Sequence, residues 1–268
     1  MLKTLLKWEL KAGARFIPFL YVGILFGGLL AMVGQFITRI EFDNVTVAIL
    51  VAVVIGIMNM LSYGIIVVAL MITIYHSVYR FYRTMASDEA YLMFTLPVTR
   101  SKHLLSHVLS SCIWGVGGII SAAAAYAISF IGSPTFIEDI KGIIELIKMV
   151  FEGKNVFIII LYVIVAVLLV VAYYLYSILI YATGITIGQG MLKNKVGGSI
   201  LGCVILYFVS QFVTLVALGV LMLLIFLLAD VENFILIMMF FILVFYAGAS
   251  AVMYAFINNR ITKKYNLE

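Results

Sequence analysis

The sequence predicts an all-α integral membrane protein with six transmembrane helices. Three observations lead there: 65% of the residues are hydrophobic against 11% charged, the apolar residues form long runs without Asp, Glu, Lys or Arg, and the basic residues gather in alternate connections between those runs. A soluble domain must cover its surface with polar groups, and so few charges leave most of this chain to be solvated by lipid. Lipid offers no water to backbone N–H and C=O groups, so a spanning segment is either a helix of roughly 20 apolar residues or part of a closed barrel. The runs are continuous and do not alternate with a period of two, which excludes barrel strands.

Charge-free runs lie between Arg15 and Arg39, Asp43 and Arg80, Lys102 and Glu138, Lys154 and Lys193, Lys195 and Asp230, and Glu232 and Arg260. They predict spans over about 16–38, 46–76, 102–132, 155–183, 198–229 and 233–257 of one transmembrane domain covering 1–268. The first run is longer than the h-region of a signal peptide, about 7–15 residues, and has no small-residue cleavage site, so it reads as a retained span. At 38 residues for 155–192 and 34 for 196–229, two runs exceed one membrane thickness, and their helices are expected to project, tilt or break. Gly184, Gly188 and Gly190 mark the expected end of the fourth span.

With the N-terminus cytoplasmic, the inner segments hold Lys3, Lys7, Lys11, Arg15, Arg80, Arg83, Arg100, Lys102, Lys193, Lys195, Arg260, Lys263 and Lys264, leaving Arg39, Lys141, Lys148 and Lys154 outside. That bias predicts both termini on the cytoplasmic side. It also accounts for the formal charge of +5 without a nucleic-acid partner, which would need basic residues clustered on a water-exposed face. Cys112 and Cys203 fall inside apolar runs, where a thiol behaves as a small hydrophobe.

Residues 1–15, MLKTLLKWELKAGAR, place Lys3, Lys7 and Lys11 on one helical stripe with Leu2, Leu5 and Leu6 roughly opposite and Trp8 at the flank. The pattern predicts an amphipathic helix in the inner headgroup layer, its lysines towards anionic lipid. Glu9 falls among the leucines, where a carboxylate needs a basic partner from the bundle or from another subunit. On the outer side, 134–154 is amphipathic, with Ile137, Ile140, Ile144, Ile147 and Phe151 on one face, and predicts a short surface helix.

The inner link between spans two and three carries the most information. Ser87 is placed to cap a helix with Asp88 and Glu89 in its first turn, where acids favour the positive end of the dipole. The helix holds Ala90, Tyr91, Leu92, Met93 and Phe94 and must end before Pro97, and Thr99 can cap the next span. A short helix this rich in apolar side chains on the water side needs something to pack against: a cytoplasmic partner or its own bundle.

The stretch YRTMASDEAYLMFTLPVTRSK, followed by a helix containing Trp114, resembles the loop between spans two and three of ABC-2-type transporter permeases of Gram-positive bacteria. The basic N-terminal helix, the six spans and the Gly-rich inner connection IGQGMLKNKVGGS at 187–199 extend the likeness over almost the whole chain at the level of pattern. The resemblance implies the transmembrane subunit of a bacterial ABC exporter, in the cell membrane, paired with a second permease chain and with ATP-binding subunits that hold ATP and Mg. It implies that 84–98 is the coupling region, with Asp88, Glu89, Tyr91, Leu92 and Phe94 the positions that would touch the ATPase. Members of that family often carry a re-entrant hairpin between spans five and six, whereas only a few polar residues around Asp230 to Asn233 separate them here.

Other classes lack their chemistry. Ion-coupled transporters and pumps keep ionisable groups inside the membrane, and no Asp, Glu, Lys or Arg lies in the middle of a run. The interior polar residues, such as Gln35, Asn59, Ser62, Ser121, Ser210, Gln211 and Thr214, are of the kind that joins helices. No glycine motif is followed by the Lys-Ser/Thr of a phosphate-cradling loop, so an active transporter must take its ATP from another polypeptide and the chain reads as no enzyme and as binding no cofactor or metal itself. His103 and His107 stand at i and i+4, but no acid or cysteine near them in sequence completes a metal site, and with His76 they read as interfacial. Asn44-Val45-Thr46 matches a glycosylation acceptor, read as chance in a bacterial chain. The spacings Gly23 to Gly27, Gly184 to Gly188 and Gly198 to Gly202 permit close helix approach. The alternative to an exporter subunit is an ATPase-independent pore or scaffold that binds a cytoplasmic partner through the same short helix.

Overall fold

In a computed structural model, residues 1–40, 42–95, 97–152, 156–189, 194–228 and 234–263 are described, and their regular structure is helical throughout. The helices in order are α1 (Leu2–Gly13), α2 (Ile17–Ile37), α3 (Val45–Met85), α4 (Asp88–Phe94), α5 (Arg100–Ile131), α6 (Phe136–Glu152), α7 (Val156–Gly188), α8 (Lys195–Leu228) and α9 (Phe234–Lys263). Six of them, α2, α3, α5, α7, α8 and α9, are long and apolar enough to cross a membrane, and α6 is the amphipathic helix expected within 134–154.

Helix ends follow local chemistry. Asn44 and Asn194 each turn a side-chain oxygen onto a free N–H of the helix that follows: Oδ1 of Asn44 accepts from the N–H of Thr46 at 3.0 Å, and Oδ1 of Asn194 accepts from that of Val196 at 3.1 Å. Asn44 is thereby the first residue of a helix cap. α7 stops at Gly188, inside the glycine cluster that predicted its end. By contrast α3 runs unbroken for 41 residues, about 60 Å at 1.5 Å per residue against a hydrocarbon layer of about 30 Å. The sequence ended span two at 76, but 77–85 contains neither Gly nor Pro and the helix simply continues. Likewise α9 continues past 257 to Lys263. α8 is unbroken to Leu228 and α9 begins at Phe234, so neither long run is interrupted by a re-entrant hairpin; residues 229–233 lie outside the described residues.

The chain divides into two compact units, Met1–Glu9 with His76–Cys112 and Ile160–Glu268, and Leu10–Tyr75 with Ile113–Ile159. In the second, Ile24, Ala69 and Ala125 form the core. Gly28 lies so close to the backbone of Ala125 that a Cβ there would collide with its carbonyl oxygen. The Ser62 hydroxyl donates to the carbonyl of Gly27, and that of Tyr21 to the carbonyl of Trp114. Arg39 donates from Nη2 to the carbonyls of Ile131, at 3.1 Å, and Ser133, at 2.6 Å. The first belongs to the last residue of α5, which has no intrahelical partner, and the second to the turn just beyond it. Large apolar side chains point outward, Phe19 at 76% and Met60 at 78% exposure, as suits helices solvated by lipid.

In the first unit, Phe81, Met85, Leu104, Leu179, Ile185, Ile257 and Ile261 form one core, and Ala172, Tyr176, Ile180 and Tyr246 a second, aromatic one. Here α7 and α8 meet glycine on glycine: Gly188 against the backbone of Gly198, and Gly184 against that of Cys203. Of the polar residues expected to join helices, Ser62 does so, whereas Ser121, Ser210 and Thr214 return their hydroxyls to carbonyls of their own helices. A Ser or Thr hydroxyl reaches the carbonyl three or four residues back more readily than a neighbouring helix.

The close approach at Gly28 carries a test. Gly28→Ala is expected to lower thermal stability in detergent by about 1–3 kcal/mol, as overpacking does, while Gly23→Ala, whose Cβ would meet nothing within 4 Å, should not lower it. Equal melting midpoints for the two variants would refute the contact.

Candidate functional site

Helix α1 displays the predicted amphipathic arrangement. Lys3, Lys7 and Lys11 are exposed, Trp8 is 63% exposed, Leu2, Leu5 and Leu6 are half-buried and Glu9 is buried. Because Glu9 is one turn beyond Leu5, the helix aims its carboxylate inward with the leucines.

The basic partner that this placement demands is Arg80 on α3. Its Nη2 and Nε both donate to Oε2 of Glu9, at 2.6 and 3.1 Å. His107 of α5 brings Nδ1 to 3.9 Å from the same oxygen, beyond hydrogen-bond reach but close enough for charge to matter, and its ring lies 5.6 Å from that of Phe81. Burial alone would push the Glu9 carboxyl up; His107 and the Arg80 guanidinium outweigh that and hold it below the ordinary glutamate value of 4.5. The sequence offered no acid beside His103 and His107, yet Glu9 stands beside His107, brought there from 98 positions away in the chain. Even so, among the described residues no three His, Cys, Asp or Glu side chains gather as a metal would require.

Helix α4 follows α3 after only Ala86 and Ser87. Ser87 holds the N-cap position, but its hydroxyl does not cap α4; it donates backwards to the carbonyl of Arg83 at 2.6 Å. That oxygen lies in the last turn of α3, where it lacks a helical partner, so the hydroxyl closes one helix instead of opening the next. Glu89 reaches back too, pairing with Arg83 at 2.5 Å with both side chains about half exposed. Ala90 is fully buried, whereas Leu92 is 68% exposed. Asp88, Tyr91 and Phe94 belong to α4 by their backbone, and the side chains of Asp88, Tyr91 and Phe94 lie outside the described ones. Thr99 directly precedes α5, and Arg100 donates to the carbonyl of Ile261 at 2.7 Å, satisfying one of the last carbonyls of α9.

These contacts bring together the segments that charge bias assigned to one side. Phe81 and Met85 of α3, Leu104 of α5, Ile185 of α7 and Ile261 of α9 share one core, α8 starts against the end of α7, and Glu9 ties α1 to α3. One end of this unit therefore carries a buried ion pair beneath α1 and a half-exposed helix, α4. The Arg80–His107 surroundings of Glu9 were not legible in sequence; the only signal was a carboxylate on the apolar face of a helix.

In comparison with known proteins the chain matches no family model, no curated protein and no solved structure. The six long apolar helices define its class, a multi-pass helical membrane protein.

Arg80→Leu strands the buried Glu9 carboxylate and is expected to cost about 3 kcal/mol, at the low end of the usual range of about 3–5 because Arg80 keeps 23% of its side chain exposed. Combining it with Glu9→Leu should cost less than Arg80→Leu alone, measured by melting in detergent; a double variant worse than the single would refute the pair. A carboxyl held lower when folded contributes stability fully above its ordinary value of 4.5 and loses it as pH falls through the lowered one. The stability gap between the native chain and Glu9→Gln should thus stay constant from neutral pH to about 4.5 and close below it.

Proposed function

We propose that this chain is the transmembrane permease subunit of an ATP-driven ABC exporter of the bacterial cell membrane, with both termini cytoplasmic. It pairs with a second permease chain and with a separate ATP-binding subunit, and moves an amphipathic substrate, a peptide, lipid or drug, out of the cytoplasm. The observation that carries this reading is the state of α4: a short helix rooted in its own chain through Ala90 and through the Arg83–Glu89 pair, with Leu92 facing outward.

Such a helix can take up force from a soluble partner and pass it on. Ser87 and Glu89 fasten α4 to the last turn of α3, and α3 is a single helix for its whole length. A push on α4 then moves a lever that spans the membrane, while the Glu9–Arg80 pair and the Arg100–Ile261 bond hold α1, α5 and α9 to the same end. The chemistry of ATP hydrolysis belongs to the partner.

Charge reversal at Glu89 tests this. The Arg83–Glu89 pair is exposed, so Glu89→Arg should leave the fold intact, yet it should weaken retention of the ATP-binding subunit through purification from native membranes and uncouple ATP hydrolysis from transport in reconstituted vesicles. Retention and coupling equal to the native chain would count against α4 as the contact. Purification that brings no ATP-binding subunit with the native chain would overturn the exporter and leave a pore or scaffold.

A further inference from the structure

Gln211 lies halfway along the 34-residue helix α8, and it is exposed. Its polar neighbours are content: the hydroxyl of Ser210 donates to the carbonyl of Tyr207 and that of Thr214 to the carbonyl of Ser210, each at 2.8 Å. The Gln211 carboxamide has no hydrogen bond to any other described residue, and lipid would leave its two donors and its acceptor unmet, a cost of several kcal/mol. Around it runs a seam at alternating spacings of three and four. Val204, Phe208, Leu215 and Met222 line it, and the exposure of Phe208 at 67% and Leu215 at 71% shows that no described residue covers it. Gly219, next to the seam, has open space for 4 Å around the place a Cβ would take, so another backbone can come close. The buried side of α8 is centred elsewhere, where Gly202 meets Gly184 of α7 and Thr214, Ala217 and Leu218 line a groove with Phe241 and Phe245 of α9; Leu218, three residues after Leu215, marks the edge where the seam borders that groove.

We propose that this seam is the contact between two copies of the chain, α8 against α8, with the two Gln211 carboxamides hydrogen-bonded to each other. The occupant follows from symmetry. Two copies inserted in the same sense are related by a two-fold axis along the membrane normal, so where their helices cross each residue meets its own counterpart at the same depth. A carboxamide is complementary to itself, since each can donate to the other's oxygen, which no carboxylate or ammonium pair can do. One polar residue in an apolar seam of this spacing fixes register between paired helices, as a buried amide does in coiled coils. The inference deepens the proposed function, resting on its pairing of permease chains, and makes the second chain another copy of this one.

The experiment uses the full chain in native membranes, with Cys112→Ser and Cys203→Ser removing the natural thiols, and single cysteines introduced one at a time as Phe208→Cys, Leu215→Cys, Val209→Cys and Val216→Cys. With a short thiol crosslinker, the two seam positions are expected to give a species of twice the 29.8 kDa chain mass, and Val209→Cys and Val216→Cys, about a third of a turn round the helix from their seam neighbours, to give none. Adding Gln211→Leu to Phe208→Cys should abolish most of the crosslinked species, and Gln211→Asn should retain it. Equal crosslinking at all four positions, none at the seam, a product of another mass, or indifference to Gln211→Leu would each overturn the proposal. Seam crosslinks in a chain that brings down no ATP-binding subunit would sink the exporter and leave the pairing standing; an ATP-binding subunit without seam crosslinks would do the reverse.

Discussion

A polar group that enters hydrocarbon must find its partner inside the protein, because lipid supplies neither donors nor acceptors. Backbone amides meet that condition by forming helices, and hydroxyls along the helices meet it locally, as Thr73, Thr183 and Thr186 do by donating to carbonyls four residues back. Longer polar side chains cannot turn back so easily and are consequently rare here. The same constraint gives the exposed Gln211 its meaning, since it is an amide at mid-helix with no bond to another described residue.

Helix ends are where the constraint is hardest to meet, and arginine meets it twice. Arg39 closes the end of α5 at Ile131 and Arg100 that of α9 at Ile261, each guanidinium donating to a carbonyl that has run out of helical partners. Their positive charge also suits the negative end of the helix dipole. At the root of α4 the hydroxyl of Ser87 does the equivalent for α3. A chain with so few charges thus places several of them on helix termini, and the buried Glu9–Arg80 pair fastens α1 in the same region as α4.

How far the sequence reached differs between elements. The spans were legible because burial in lipid demands length and apolarity, and both can be counted along the chain. Their ends were less so: α3 outran the expected end of span two, at 76, by nine residues, to Met85, because a helix once begun continues into polar residues that neither break it nor need hydrocarbon. The short helix before Pro97 was legible from the proline, but the route of the Ser87 hydroxyl was not, since a cap and a back-bond use the same residue and differ only in which free group lies nearer. The need of Glu9 for a basic partner could be read from its face of the helix, though nothing in the sequence singled out Arg80 over Arg83.

By itself the sequence determined that this is a six-span helical membrane chain with an amphipathic first helix, because lipid solvation acts on composition and periodicity, which are local properties. Only the tertiary structure decided which charges meet, which glycines touch and which polar groups are left over. Those are questions of distance between residues far apart in the chain: Glu9 and Arg80 are 71 positions apart and Arg100 and Ile261 161, and no period or run encodes such a meeting. That the Gln211 amide bonds to no other described residue belongs to the same kind of knowledge, since it can be read only once the neighbours are in place.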